Sequence, residues 1–206
     1  MFISFEGIDG CGKSTQVTML EGYLQQIGKS VLVLREPGAT PLSEAVRSVL
    51  LTSTFDIEPT AELLLFCASR RQLVESVIKP QLQNGTVVIC DRYADSSTAY
   101  QGYGRGISID TVNSANAIAT GGFMPDITFF LDISVTESLA RAGSRSETAL
   151  DRMERAGTEF FERVRKGYQH ISETESRFCV IDGTQTVQEI HKQIISAVEA
   201  LQYSLG

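Results

Sequence analysis

Residues Gly7-Ile8-Asp9-Gly10-Cys11-Gly12-Lys13-Ser14 put three glycines, a lysine and a hydroxyl into eight positions. The spacing is that of G-x-x-x-x-G-K-[ST], a loop whose backbone N–H groups converge on phosphate oxygens where a helix begins. In that reading Gly7, Ile8, Asp9, Gly10, Cys11, Gly12, Lys13, Ser14 and Thr15 cradle a nucleotide's phosphates. Lys13 neutralises the β- and γ-phosphates, and Ser14 ligates Mg²⁺. The plainer alternative is a glycine-rich turn with a surface lysine. The flanks argue against it: an apolar strand precedes the loop, and Leu20, Tyr23, Leu24 and Ile27 follow at helical spacing.

A phosphate loop names no reaction by itself. The guanine-reading N-K-x-D of GTPases does not occur in the sequence, whereas arginines suited to a second phosphorylated molecule do. Asp91-Arg92-Tyr93 follows the apolar run 86–90, which places Asp91 at the carboxyl end of a strand, where open α/β sheets bind ligands. Asp91 is the candidate for the Mg²⁺ shell and Arg92 for gripping an acceptor phosphate; a carboxylate–arginine pair closing the strand is the bland alternative. Arg35-Glu36-Pro37-Gly38 repeats the arrangement after the second apolar run. On the helix expected over 60–83, Leu63, Phe66, Arg70, Leu73, Val74 and Val77 share one stripe. An arginine in an apolar stripe is unusual. Phe66 and Arg70, one turn apart, suit stacking on a nucleobase and hydrogen bonding to its edge; a core phenylalanine beside a paired arginine accounts for them equally well.

The elements that must position these residues alternate. Short apolar runs at 2–5, 31–34, 86–90, 127–131 and 178–181 read as strands buried on both faces. Helical patterns occupy 13–27, 42–51, 60–83, 109–120, 151–175 and 186–203. The alternation predicts an α/β fold with a parallel sheet and right-handed crossovers, and with no repeat or linker a single domain over 1–206. Two polar stretches, 101–108 with three glycines and 142–149, read as flexible insertions.

The chain has 206 residues and a formal net charge of −7, which argues against a general nucleic-acid binder. Its 18 basic residues are 13 Arg and 5 Lys, a bias that suits bidentate phosphate recognition. No apolar run approaches the roughly 20 residues of a membrane span, and the start lacks the basic flank of a secretory leader. Cys11, Cys67, Cys90 and Cys179 have neither disulfide-rich nor metal-type spacing and read as free thiols of a reducing cytoplasm.

Together these stretches resemble the bacterial thymidylate kinase family over essentially the whole chain. The carriers, in order, are FEGIDGCGKST (5–15), REPGAT (35–40), FCASRRQLVESVIKP (66–80), DRYADSSTAYQGYGRG (91–106), PDITFFLD (125–132), LDRMER (150–155) and VIDGTQ (180–185). The resemblance implies a three-layer P-loop fold with a five-stranded parallel sheet flanked by helices, and a mobile lid at about 142–149. It implies transfer of phosphate from ATP, with Mg²⁺, to dTMP, supplying dTTP synthesis for DNA replication, by a cytoplasmic homodimer. It assigns Asp9 to the sugar 3′-hydroxyl, Arg35 and Arg92 to the dTMP phosphate, and Phe66 to stacking on thymine. Arg70 is assigned to thymine O4, Ser97 and Gln101 to the remaining base edge, and Tyr100 to the sugar 2′ position. Family members carry a catalytic arginine in the phosphate loop or in the lid. Gly10 follows Asp9 here, so the lid residues Arg141 and Arg145 are the candidates beside Lys13 and Arg92. Two positions depart from the family pattern: Ala39 stands for a glycine and Cys11 for an alanine. The competing readings are another nucleoside-monophosphate kinase and a silent nucleotide-binding module. The second requires a broken loop or missing arginines, and neither occurs.

Overall fold

In a computed structural model, residues 1–143, 152–153 and 157–205 are described. Strands β1 (Phe2–Glu6), β2 (Val31–Arg35), β3 (Val87–Asp91), β4 (Ile127–Asp132) and β5 (Phe178–Asp182) form one parallel sheet in the order β2-β3-β1-β4-β5. Each continues one residue past its apolar run, and that residue is charged in every case: Glu6, Arg35, Asp91, Asp132 and Asp182. A parallel ladder needs only backbone groups, so it can run past the last apolar side chain. The extra residue delivers charge to the carboxyl edge of the sheet.

Alternate residues of the central strands face opposite layers, as a side-chain period of two requires. Ile3, Phe5, Val87 and Ile89 pack with Leu20 and Leu24 of α1 (Lys13–Gln26) and with Ile194 and Val198 of α9 (Val187–Leu205). Phe2, Val88 and Cys90 pack instead with Leu73, Val74 and Ile78. Helices therefore cover both faces. The remaining described helices are α2 (Pro41–Thr52), α3 (Pro59–Leu73), α4 (Lys79–Gln83), α5 (Ala94–Ser97), α6 (Ile109–Thr120), α7 (Val135–Gly143) and α8 (Thr158–Thr174).

The structure revises four expectations. The helix over 60–83 is interrupted by a π-turn at Val74–Ile78, because Pro80 has no N–H to donate and its ring would press on the carbonyl of Ser76; a widened turn relieves both. The stretch 101–108 is not a flexible insertion in its first half. Gln101, Gly102 and Gly104 are buried in a π-helical segment, Thr98–Gly104, that continues α5. Gly104 is needed there because a Cβ would lie 2.7 Å from Phe160 Cε2 and 2.9 Å from Val164 Cγ2 of α8. The helix expected from 151 starts at Thr158, with Arg152 and Met153 in a turn. Finally, α5 and α7 have no counterpart in the apolar periodicity. Of the lid stretch 142–149, only the backbone of 142 and 143, the end of α7, falls within the described residues; Arg145 lies outside them.

Candidate active site

The phosphate loop joins β1 to α1. Gly7, Gly10 and Gly12 take φ values of 134°, 81° and 102°, the region L side chains avoid. At two of the three, space is as restrictive as torsion, while a Cβ on Gly12 would meet nothing within 4 Å. A Cβ on Gly10 would lie 2.7 Å from the Ser138 carbonyl oxygen of α7, and one on Gly7 would lie 2.7 Å from that of Leu131. Among the described residues no side chain caps α1, and its first turn holds no acidic residue. The amide donors that every helix start leaves unpaired are therefore available to an anion, with the positive end of the helix dipole behind them. Lys13 is buried and folds over the loop, its Nζ donating to the carbonyls of Gly7 (3.0 Å) and Ile8 (3.2 Å).

Ser14 Oγ donates to Asp91 Oδ2 at 3.1 Å, so the two residues assigned to Mg²⁺ meet although 77 positions separate them. A hydroxyl and a carboxylate are hard oxygen donors, which Mg²⁺ commonly takes sparingly while phosphates and waters complete its shell. Among the described residues no group of three or more His, Cys, Asp or Glu offers an all-protein cage. The pair fits an ion delivered with a nucleotide. Ser14, Val17, Thr18, Arg35, Ala39, Glu44 and Asp91 line an open cleft of about 400 Å³. Arg35 is exposed there and ion-pairs with Glu44 at 3.4 Å. Ala39, at the position noted above for lacking glycine, holds φ 70°, a left-handed conformation that costs an L residue about 1–2 kcal/mol.

Arg92 lies beside the loop with φ 75°. Its Nη2 donates to Asp9 Oδ1 (2.6 Å) and Tyr100 Oη (3.1 Å), and its Nη1 to the Gly7 carbonyl (3.0 Å). Burial pushes the Asp9 carboxyl upward, but the charges of Arg92 and Lys13 and the hydrogen bonds from Arg92 and Tyr100 outweigh it and hold it below the ordinary value. Asp9 is thus ionised, and Arg92 remains cationic in spite of its burial.

On α3, Phe66 is half-buried, while Arg70 is 1% exposed. The Arg70 Nε donates to Glu36 Oε2 at 2.7 Å, Nη1 to Ser97 Oγ (2.9 Å) and Asn116 Oδ1 (3.1 Å), and Nη2 to the Tyr93 carbonyl (3.1 Å). Four of the five guanidinium N–H groups have protein acceptors in these bonds, so Arg70 ties together Glu36, Ser97, Asn116 and the Tyr93 backbone. Gln101, also buried, donates to Glu62 Oε1 at 2.8 Å. Glu62 in turn receives Arg105 (3.2 Å) and Arg152 (2.5 Å). Arg141 of α7 pairs with Glu137 at 2.9 Å and donates to the Gly183 carbonyl at 3.0 Å, at the end of β5.

The structure therefore gathers Asp9, Lys13, Ser14, Asp91, Arg92 and Tyr100 at one mouth, with Ser97 and Arg70 bonded to each other behind it. Residues that the motifs did not single out complete the mouth. Ser138 Oγ bonds the Asp9 carbonyl, and Glu6, Ser96 and Tyr168 form a cluster behind Arg92. Glu6 carried one legible sign, being a carboxylate at the end of an otherwise apolar strand; Ser138 and Tyr168 carried none, since only the packing of α7 and α8 brings them in.

Comparison with known proteins agrees with this geometry. The family model for thymidylate kinase matches residues 5–194. The chain is 51% identical to the thymidylate kinase of Chlorobaculum parvum over 98% of this chain and 97% of that one. It is 48% identical to that of Thermoanaerobacter pseudethanolicus, covering 96% and 97%. Among solved structures, it resembles thymidylate kinase from Ehrlichia chaffeensis with a TM-score of 0.78 and 36% identity, covering 96% of this chain and 98% of that one.

Proposed function

The chain belongs to the thymidylate kinase family, and on that premise we propose that it transfers the γ-phosphoryl of ATP to dTMP, giving dTDP for DNA synthesis. The observation that carries the reading is the shared mouth: a phosphate loop with unpaired helix-start amides opens beside Arg92 and Asp9, so donor and acceptor phosphates would meet at one point. Gly7 to Thr15 bind the donor's phosphates, with Lys13 swinging from the loop carbonyls onto the β- and γ-oxygens. Arg92 and Arg35 hold the acceptor phosphate. Because that phosphate is already an ionised nucleophile, no general base is needed; the work is positioning and charge stabilisation. Ser14 and Asp91 would hold Mg²⁺, which when bound supplies positive charge to the phosphate oxygens. The candidates for cationic charge on the migrating phosphoryl group are Arg141 and Arg145, the latter in the lid expected at 142–149.

At the base end Phe66 stacks on thymine, and Arg70, Ser97 and Gln101 address its polar edge. Asp9 receives the 3′-hydroxyl, and Tyr100 stands against the 2′ position. The whole chain acts as one domain. A homodimer is supported by Leu64 on α3 (58% exposed) and Ile118 on α6 (76% exposed), large apolar side chains on neighbouring helices. A cytoplasmic setting is supported by the four free cysteines. Among the described residues, no helix is long and apolar enough to cross a membrane.

The test is kcat/KM for dTMP, dUMP, dCMP and AMP with ATP and Mg²⁺. The thymine methyl contributes only about 1–3 kcal/mol, so dUMP should be slower by roughly 10- to 200-fold rather than inert. Mismatched hydrogen bonding should exclude dCMP more strongly. Preference for AMP or dCMP overturns the assignment of substrate.

A further inference from the structure

Glu6 is fully buried at the end of β1, and none of the roles above uses it. Its Oε1 accepts the backbone N–H of Tyr93 at 2.7 Å. Its Oε2 accepts Ser96 Oγ at 2.6 Å and Tyr168 Oη at 2.7 Å. These two hydroxyls are 2.8 Å from each other, and each lies 3.3 Å from Arg92 Nη1. A hydroxyl has one proton and two lone pairs. An ionised Oε2 draws the hydroxyl protons toward itself, directly or relayed across the Ser96–Tyr168 contact, and leaves oxygen lone pairs facing the guanidinium. We infer that Glu6 is a positioning residue for dTMP binding: through Ser96 and Tyr168 it fixes the hydroxyl polarity that holds Arg92 aimed at the acceptor phosphate.

The rest of the environment is consistent with a group held for polarity rather than for stability. Burial, and then the Asp95 charge, push the Glu6 carboxyl up to about 7, against the opposing pull of Arg92 and the hydrogen bonds from Ser96 and Tyr168. The Arg177 guanidinium, bonded to Asp95 at 2.7 Å, and the Cys90 thiol also feel its charge. A buried carboxylate so placed is costly to keep charged. Arg92 itself needs the support, since it is held at a left-handed φ and shares its Nη1 among three acceptors.

Glu6→Gln tests the polarity directly. Tyr93 N–H keeps the amide oxygen at the Oε1 position, so the amide NH₂ replaces Oε2 and donates to the hydroxyls. The Ser96–Tyr168 contact can then hold one of their protons, and the other must turn toward Arg92. The inference rests on Arg92 holding the dTMP phosphate, so Arg92→Ala is measured alongside. At pH 8, by calorimetric titration, Glu6→Gln should weaken dTMP binding about tenfold, the order of one charge-assisted hydrogen bond, and leave ATP affinity within twofold. The KM for dTMP should rise with it, while kcat falls less than threefold. Tyr168→Phe, which removes one of the two relays, should weaken dTMP several-fold, and the double variant should be no worse than Glu6→Gln alone. If Arg92→Ala weakens dTMP but Glu6→Gln does not, the inference is overturned. If Arg92→Ala binds dTMP normally, the phosphate assignment of Arg92 falls instead. Should Glu6→Gln fail to fold, Tyr168→Phe decides, and unaltered dTMP affinity there overturns the inference.

Discussion

Replacing Arg70 with methionine should unfold much of the protein's stability margin before it says anything about specificity. The side chain is 1% exposed and its ion-pair partner Glu36 only 3%. Methionine keeps the apolar stem but removes the charge, and leaves a buried carboxylate whose Oε1 already has no hydrogen-bond partner among the described residues. Burial outweighs Arg70's attraction at Glu36 even in the intact pair, so its carboxyl sits above the ordinary value. Breaking a buried pair from one side costs about 3–5 kcal/mol. Ser97 Oγ, Asn116 Oδ1 and the Tyr93 carbonyl lose their donor as well. Against a total of about 5–15 kcal/mol, and at about 2–4 °C per kcal/mol for a chain of this size, the melting temperature should fall by about 6–20 °C. Urea unfolding of Arg70→Met, Glu36→Gln and the double variant forms the cycle. The double variant should recover at least about 2 kcal/mol of the summed losses, because neither charge is then left alone. A cost below about 1 kcal/mol for Arg70→Met, or strict additivity, would refute the reasoning. Specificity assays on Arg70 variants must therefore be read only with their folded fraction known.

Glu6 makes stability depend on pH with a definite sign. Its folded value of about 7 lies above the ordinary 4.5, so its contribution is full below about pH 4.5 and is lost as pH rises through about 7. The wild type should lose melting temperature relative to Glu6→Gln between pH 5 and 7.5; a wild-type minus variant difference that stays constant or rises with pH contradicts the burial of a titrating carboxyl facing Asp95, Arg92, Arg177, Cys90, Ser96 and Tyr168. Gly104→Ala forces a Cβ to 2.7 Å from the Phe160 ring, and overpacking of that kind costs about 1–3 kcal/mol. Thermal melting should show a loss of about 2–12 °C, and an unchanged melt would mean that α8 is free to move aside.

The sequence alone determined the features that depend on local spacing. The five apolar runs read as strands of a parallel sheet, and the structure places all five in one, although burial on both faces holds for the inner strands and not for the edges, where β2 is only partly covered and Val180 of β5 is 52% exposed. The phosphate loop was legible because its function is performed by backbone at fixed spacing, so Gly7, Gly10, Gly12 and Lys13 are themselves the geometry. Asp91 and Arg92 were legible because a strand's carboxyl end announces its position. What the sequence could not decide is what packs behind these residues. The π-helical Thr98–Gly104 read as a flexible glycine-rich loop because Gly104 answers to α8, more than fifty residues away, and Gly102 to α6, rather than to a turn. Arg70's pairing with Glu36, 34 positions upstream, and the meeting of Glu6 with Tyr168, 162 positions apart, leave no periodic trace either. Hydrophobic period records only which face is dry. Which buried polar group meets which is settled by the crossovers that stack distant helices on the sheet, and only the tertiary structure holds that information.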